Sequence, residues 1–203
     1  MKKLLFALSI IFFSFVAVSQ PARTSTADSV QIRKTVMDFY NWYKVNYKKF
    51  QSFKLYSSVR GNDGPPYKIN WKEAERYFVF LKTSVPYLSE DYSKWLRSHF
   101  QQCDSVFKVN TEDEIPWGFD YDWYTNSQEE AQVLIDELKK AKQWAMTING
   151  VSASVDVLGF YTDNGKKIET VVMCFKMRKE KGKWRIAEIG CPFEDLSGSP
   201  PPQ

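Results

Sequence analysis

Histidine is almost missing from this chain of 203 residues, and His99 is its sole representative. One imidazole excludes His-Glu-x-x-His and every other metal site built on several histidines. Cysteine is nearly as scarce: Cys103, Cys174 and Cys191 are the full set. No two of them form Cys-x-x-Cys, so no zinc pattern exists, and an odd number leaves at least one thiol unpaired within a monomer. A glycine-rich phosphate loop and a Gly-x-Ser-x-Gly elbow are both absent. A strong charge bias is absent too. The formal charge is +4, and removal of Lys2 and Lys3 lowers it to +2. That is too close to neutral to support binding of nucleic acid or of an anionic membrane surface.

Long apolar runs are lacking except at the start, where Leu4 to Val18 follow Met1-Lys2-Lys3. A short cationic segment, an apolar stretch of about fifteen residues and a small-residue exit make a signal peptide. The stretch falls short of the about 20 apolar residues a membrane span needs. Ala17 and Ser19 satisfy the small-x-small rule, so residues 1–19 are predicted to be removed, with Gln20 as the new N-terminus. The first cysteine is Cys103, which excludes lipid attachment at the cleavage site. The expectation is a periplasmic or secreted protein, released rather than anchored. Disulfides persist in such compartments.

What the chain does have is aromatic side chains: Trp 7, Tyr 11 and Phe 15. They recur with helical spacing in the first half. Ile32, Val36, Phe39, Tyr40, Tyr43 and Tyr47 make one apolar face of a helix starting near Asp28. Residues 51–60 are ambiguous, and residues 61–66 form a loop. Asn70 with Glu73 caps a helix over residues 71–83 that stops before Pro86. Ser89 opens the next, with Tyr92, Trp95, Leu96, His99, Phe100, Cys103 and Phe107 as its stripe. An acidic and aromatic connection follows at residues 109–126, and a connection of that length is usually functional. Ser127 and Glu130 read as a capping box for a helix carrying Ala131, Leu134, Ile135 and Leu138 inward.

From Gln143 the period changes to two. Strands are expected over residues 144–148, 151–161, 168–178 and 183–189, joined by turns at Asn149-Gly150, Asp163-Asn164-Gly165 and Lys181-Gly182. Helices followed by a meander imply α+β: N-terminal helices on one face of a curved antiparallel sheet, as one domain over residues 28–193. A cone with an open mouth would provide a pocket. Residues 194–203, rich in proline, read as a disordered tail.

Certain blocks resemble a known family. Phe39-Tyr40-Asn41-Trp42-Tyr43, and Gly118-Phe119-Asp120-Tyr121-Asp122-Trp123 followed by Asn126-Ser127-Gln128-Glu129, are similar to the two recurring blocks of an uncharacterised exported bacterial family, domain-of-unknown-function family 3828. Gly182-Lys183-Trp184-Arg185-Ile186 with Ile189 is similar to the last strand of the nuclear transport factor 2-like superfamily. The resemblance covers about residues 28–192. It implies the cone-shaped α+β fold and no established activity. The chain departs from the family pattern in a longer segment between Asn46 and Trp71. Enzymes on such cones place an acid and a histidine in the pocket, and here only His99 is on hand.

Several residues are candidates for chemistry. His99 and Cys103, four apart on one helix, could form a thiol–imidazole pair; the alternative is that both pack in the apolar stripe. Asp120 and Asp122 flank Tyr121 and point the same way if extended. They could serve as acid and base, or as loop residues favouring the following helix N-terminus. An EF-hand fails, because Thr125 stands where glycine is needed and Ala131 where glutamate is needed. Tyr40, Tyr43, Trp117, Trp123, Trp144 and Trp184 line either a ligand mouth or the core. Tyr40 and Trp184 favour the core; a loop tryptophan can instead anchor a partner. If one disulfide forms, Cys103–Cys191 is the expected pair.

The leading expectation is a non-enzymatic exported domain that binds a small amphipathic ligand or an exported protein through Tyr43, Trp117, Asp120, Asp122 and Trp123. It needs no metal or cofactor. One alternative is a pocket hydrolase or isomerase using Asp120 or Asp122, with His99. Another is an inhibitor or immunity protein that blocks a second exported enzyme. Oligomeric state stays open, a dimer included.

Overall fold

The computed structural model describes residues 26–61, 63–141 and 143–190, the side chain of Tyr161 excepted. The predicted signal peptide, the tail and Cys191 lie outside the described residues. Helices α1 (Thr26–Phe50), α2 (Trp71–Ser84), α3 (Glu90–Val109) and α4 (Ala131–Lys140) precede a meander of strands β3 (Gln143–Asn149), β4 (Ser152–Asp163), β5 (Lys166–Glu180) and β6 (Lys183–Ile189). A short hairpin, β1 (Tyr56–Ser58) with β2 (Tyr67–Ile69), sits between α1 and α2. The class is α+β, helices first and strands last, as the periodicity implies.

Each element follows from its residues. Asn70 caps α2 by accepting from Glu73 N, and Ser89 caps α3 by accepting from Tyr92 N; both satisfy helix donors that have no intrahelical partner. Helix α4 departs from expectation. Ser127 Oγ accepts from Glu129 N instead, and the helix starts at Ala131 with no side-chain cap. Ser127 belongs to the loop because Asp122 N donates to its carbonyl at 2.9 Å. In the sheet, Asn164 (φ 47°) and Gly165 (φ 76°) form the turn between β4 and β5. Positive φ at both central positions matches the right-handed twist of the strands.

The layers are helices α1, α3 and α4 against the sheet, with β4 to β6 contributing Val155, Val157, Met173, Phe175, Trp184 and Ile186. The α1 terminus is tied to the sheet where Asp28 Oδ1 accepts from Lys179 Nζ at 2.7 Å and Trp184 Nε1 at 2.8 Å. The outer edge of β6 is covered by the α2–α3 connection: Ser89 N donates to Ile186 O, and Ile186 N donates to Tyr87 O. An edge covered this way is closed to other chains.

Three expectations are corrected here. The ambiguous residues 51–60 contain β1, which pairs with β2 beyond the 61–66 segment, and Tyr67 Oη of β2 donates to Glu114 O at 2.7 Å. Tyr47 is not in the core; it is 39% exposed. The Cys103–Cys191 bridge is not formed: Cys103 keeps a free, buried thiol, while Cys174 is disulfide-bonded. Cys103 lies on the buried stripe of α3 with Leu96, Phe100 and Phe107, and its thiol faces His99 and the backbone at Gly118.

The core is dense in rings. Phe39 contacts Tyr40, Tyr43, Tyr87 and Tyr124 with centroids 5.0–6.3 Å apart. Phe39→Ala should therefore destabilise the fold by about 3–5 kcal/mol. Urea unfolding with an unchanged slope checks it.

Candidate functional site

The segment between α3 and α4 is irregular but tightly held. Its inner half turns on Asp122. Asp122 Oδ2 accepts from Tyr43 Oη at 2.6 Å, and Oδ1 accepts from Tyr124 N at 2.7 Å. An aspartate that bonds a backbone amide two residues on makes an Asx turn, which the short polar side chain does well. Tyr124 continues the network. Its carbonyl accepts from Tyr40 Oη at 2.6 Å, and its hydroxyl pairs with Tyr77 Oη at 2.5 Å. Helices α1 and α2 are thus bonded to the loop through buried hydroxyls. Burial raises the Asp122 carboxyl above its ordinary value of 3.8, opposed by the bonds from Tyr43, Tyr124 and Thr125.

The outer half turns on Gly118. Trp123 Nε1 donates to Gly118 O at 2.7 Å, and His99 Nε2 lies 3.5 Å from the same oxygen. Gly118 has φ +77°. A Cβ there would stand 2.9 Å from Cys103 Sγ and 3.0 Å from His99 Nε2. Backbone geometry and close approach both demand glycine. The i,i+4 pair on α3 is the seat on which this loop rests.

That placement sets the electrostatics of the pair. Cys103 Sγ and His99 Nε2 are 3.6 Å apart. Burial pushes the thiol up to about 12 and the imidazole below its usual value. Both groups are neutral near pH 7, whereas a nucleophilic cysteine needs a lowered pKa. Nor do the two aspartates form a pair: Asp120 is exposed, and Asp122 is committed to Tyr43 and Tyr124. Among the described residues no group of three or more potential ligands gathers for a metal.

The expected open mouth is corrected as well. Tyr40, Tyr43 and Trp184 are at most 2% exposed and occupy the space between helices and sheet. Trp123 is buried, and Trp144 is half-buried with the Arg33 guanidinium 5.2 Å from its ring. Two shallow surface grooves exist. One of about 360 Å³ crosses the sheet at Thr147, Ser154, Lys176 and Arg178; one of about 460 Å³ lies on α2 at Phe53, Val79 and Phe80. Neither includes Trp117, His99 or the aspartates.

What the loop offers to solvent is apolar and acidic. Trp117 is 43% and Ile115 64% exposed. The Trp117 ring packs 5.9 Å from His99, which stacks on Trp95 at 6.0 Å with 9° between planes. Glu112, Asp113, Glu114 and Asp120 are exposed around them. No lysine or arginine occurs from Val109 to Leu138. Sequence reasoning missed Gly118, Tyr77 and Tyr124. Only the Pro-x-Gly spacing at 116–118 hinted at a required turn. No family model, curated protein or solved structure matches the chain.

Two outcomes are expected. Gly118→Ala should cost about 2–4 kcal/mol, from positive-φ strain and the collision with Cys103 and His99, read as a fall in the unfolding midpoint. Asp122 binds its proton more tightly folded than unfolded. Stability should therefore fall as pH rises from about 4 through the raised value. Asp122→Asn should remove that slope in thermal melts at successive pH values.

Proposed function

We propose that this protein is an exported, non-enzymatic binding domain whose recognition surface is the outer half of the α3–α4 loop. The observation that carries the reading is the contrast within one loop. Trp123, Tyr124 and Asp122 anchor it in the core, while Ile115 and Trp117 point outward. A large apolar side chain held rigid before binding loses little entropy on complex formation, which is how anchor residues gain their weight. The acidic rim adds a preference for partners that carry positive charge beside an apolar group.

Two features support this over chemistry at the aspartates. The interior is filled by rings, so the molecule works from its surface. His99 and Cys103 are packed under Gly118, and Asp122 is bonded to Tyr43 and Tyr124, so none of the three faces an open cleft. Export is supported by the cationic and apolar start of the chain, and by the disulfide at Cys174, a bond that persists in oxidising compartments. The ligand class is a small amphipathic molecule or the surface of another exported protein. Likeness to domain-of-unknown-function family 3828 and to nuclear transport factor 2-like cones rests on the sequence blocks named above.

The test is equilibrium titration of the mature protein against cationic amphipathic peptides and small amphiphiles, followed by tryptophan fluorescence. Trp117→Ala should weaken binding about tenfold or more, consistent with loss of an anchor worth ~1–2 kcal/mol. Its melting temperature should not change, because the ring is half exposed. Trp123→Ala is unsuitable, since loss of its buried ring and its bond to Gly118 would disturb the fold itself. Equal affinity in wild type, Trp117→Ala and Ile115→Ala would remove the loop from the binding surface.

A further inference from the structure

The β4–β5 hairpin is longer than its neighbours. Strand β3 pairs with β4 only as far as Leu158, and β6 pairs with β5 only down to Phe175, with one more bond from Gly190 N to Cys174 O. Beyond these points the two strands run on as a ribbon, from Leu158↔Val171 to Asp163↔Lys166. Along residues 166–173, β5 has no neighbour on its β6 side among the described residues. Among the described residues this edge is open over some eight residues, next to exposed Phe160 and Val171. Elsewhere the fold covers β6 with Tyr87–Ser89. Open edges of this length are templates for another strand.

The hairpin sets which groups the edge presents. Asp163↔Lys166 flanks the two-residue turn Asn164-Gly165, so this pair closes the ladder with hydrogen bonds. Alternation then directs the amide and carbonyl of Lys167 and Glu169 away from β4. Their side chains share one face, two residues apart. A lone edge lysine guards against pairing by charge repulsion. Here Glu169 stands beside it, and the edge becomes complementary to itself.

We infer that a second copy of this chain pairs antiparallel along the open edge of β5, about a two-fold axis at Ile168. In that register Lys167 faces the partner's Glu169, and Glu169 faces the partner's Lys167, each pair exchanging two backbone hydrogen bonds. Isologous contacts of this kind are the commonest route to homodimers. Opposite charges directly across strands stabilise the ladder. Ile168 meets the partner's Ile168 as a non-hydrogen-bonded pair on the axis. The partner's turn falls opposite Val171 and Val172, within the stretch that β6 leaves unpaired among the described residues. Two four-stranded sheets become one continuous sheet. The contact is a short ladder, so the dimer forms reversibly with concentration. It uses none of Ile115, Trp117 and the acidic residues around them, and stands apart from the binding role proposed above.

Sedimentation equilibrium of the mature protein from about 1 µM to about 500 µM, a range spanning weak homodimers, measures the association. Lys167→Glu should raise the dimer dissociation constant roughly tenfold, since two attractive pairs become two repulsive ones. Glu169→Lys should do the same. The double variant Lys167→Glu with Glu169→Lys should restore wild-type affinity, and an equimolar mixture of the two single variants should form heterodimers. Both residue changes lie on an exposed ribbon, so melting temperatures should stay constant. Independently, Ile168→Cys should give a reducible covalent dimer, because Cα atoms of a non-hydrogen-bonded pair lie about 4.5 Å apart. Thr162→Cys, on the inner strand, should not. A wild type that stays monomeric throughout, a double variant no better than the singles, or no cross-link at residue 168 would each overturn the proposal. So would a monomer that takes up a foreign extended peptide at this edge.

Discussion

A carboxylate taken out of water must be met by donors, and in this protein that requirement falls on Asp122. Its two oxygens are satisfied by Tyr43 from α1 and by the amide of Tyr124 two residues on. Because Asp122 fixes Tyr124, it also fixes where the Tyr124 carbonyl and hydroxyl meet Tyr40 and Tyr77. Three parts of the chain far apart in sequence therefore share one polar network inside an aromatic core. Networks of this kind specify a single arrangement, because each half-satisfied alternative leaves a buried group unpaired.

The rigidity of the α3–α4 loop is a consequence. Its inner residues are bonded to helices, and its outer residues rest on His99 and Cys103 through Gly118. The loop can thus expose Trp117 and Ile115 without collapsing onto the nearest apolar surface. The same packing sets the imidazole and the thiol against a backbone turn, where burial lowers the one and raises the other. Anchored and exposed residues thus alternate within one segment.

Much of the fold was legible because its signals are local. The stripe on α3, the caps at Asn70 and Ser89, and the turn at Asn164-Gly165 each depend on residues within one or two turns of chain. The β1–β2 hairpin was not legible. Its strands span Tyr56–Ser58 and Tyr67–Ile69, too short for a period, and they are held by Glu114 and by Asp104 of α3. The capping pattern at Ser127 misled for a related reason: the Ser127 carbonyl was already engaged by Asp122. The Cys103–Cys191 expectation failed because sequence spacing says nothing of which face a helical cysteine presents, and Cys103 faces inward.

The candidate site divides along the same line. From the sequence alone come the compartment expectation, the α+β order, the single histidine, and the existence of an acidic aromatic loop. Only the tertiary structure decided which rings are core and which are surface. Trp117 and Trp123 are six residues apart and chemically identical, yet Trp123 bonds Gly118 in the interior while Trp117 stands in solvent. Nothing local separates them. The difference lies in the bend forced at Gly118 by the two side chains of α3 beneath it, and such a contact between distant segments exists only once the chain has folded.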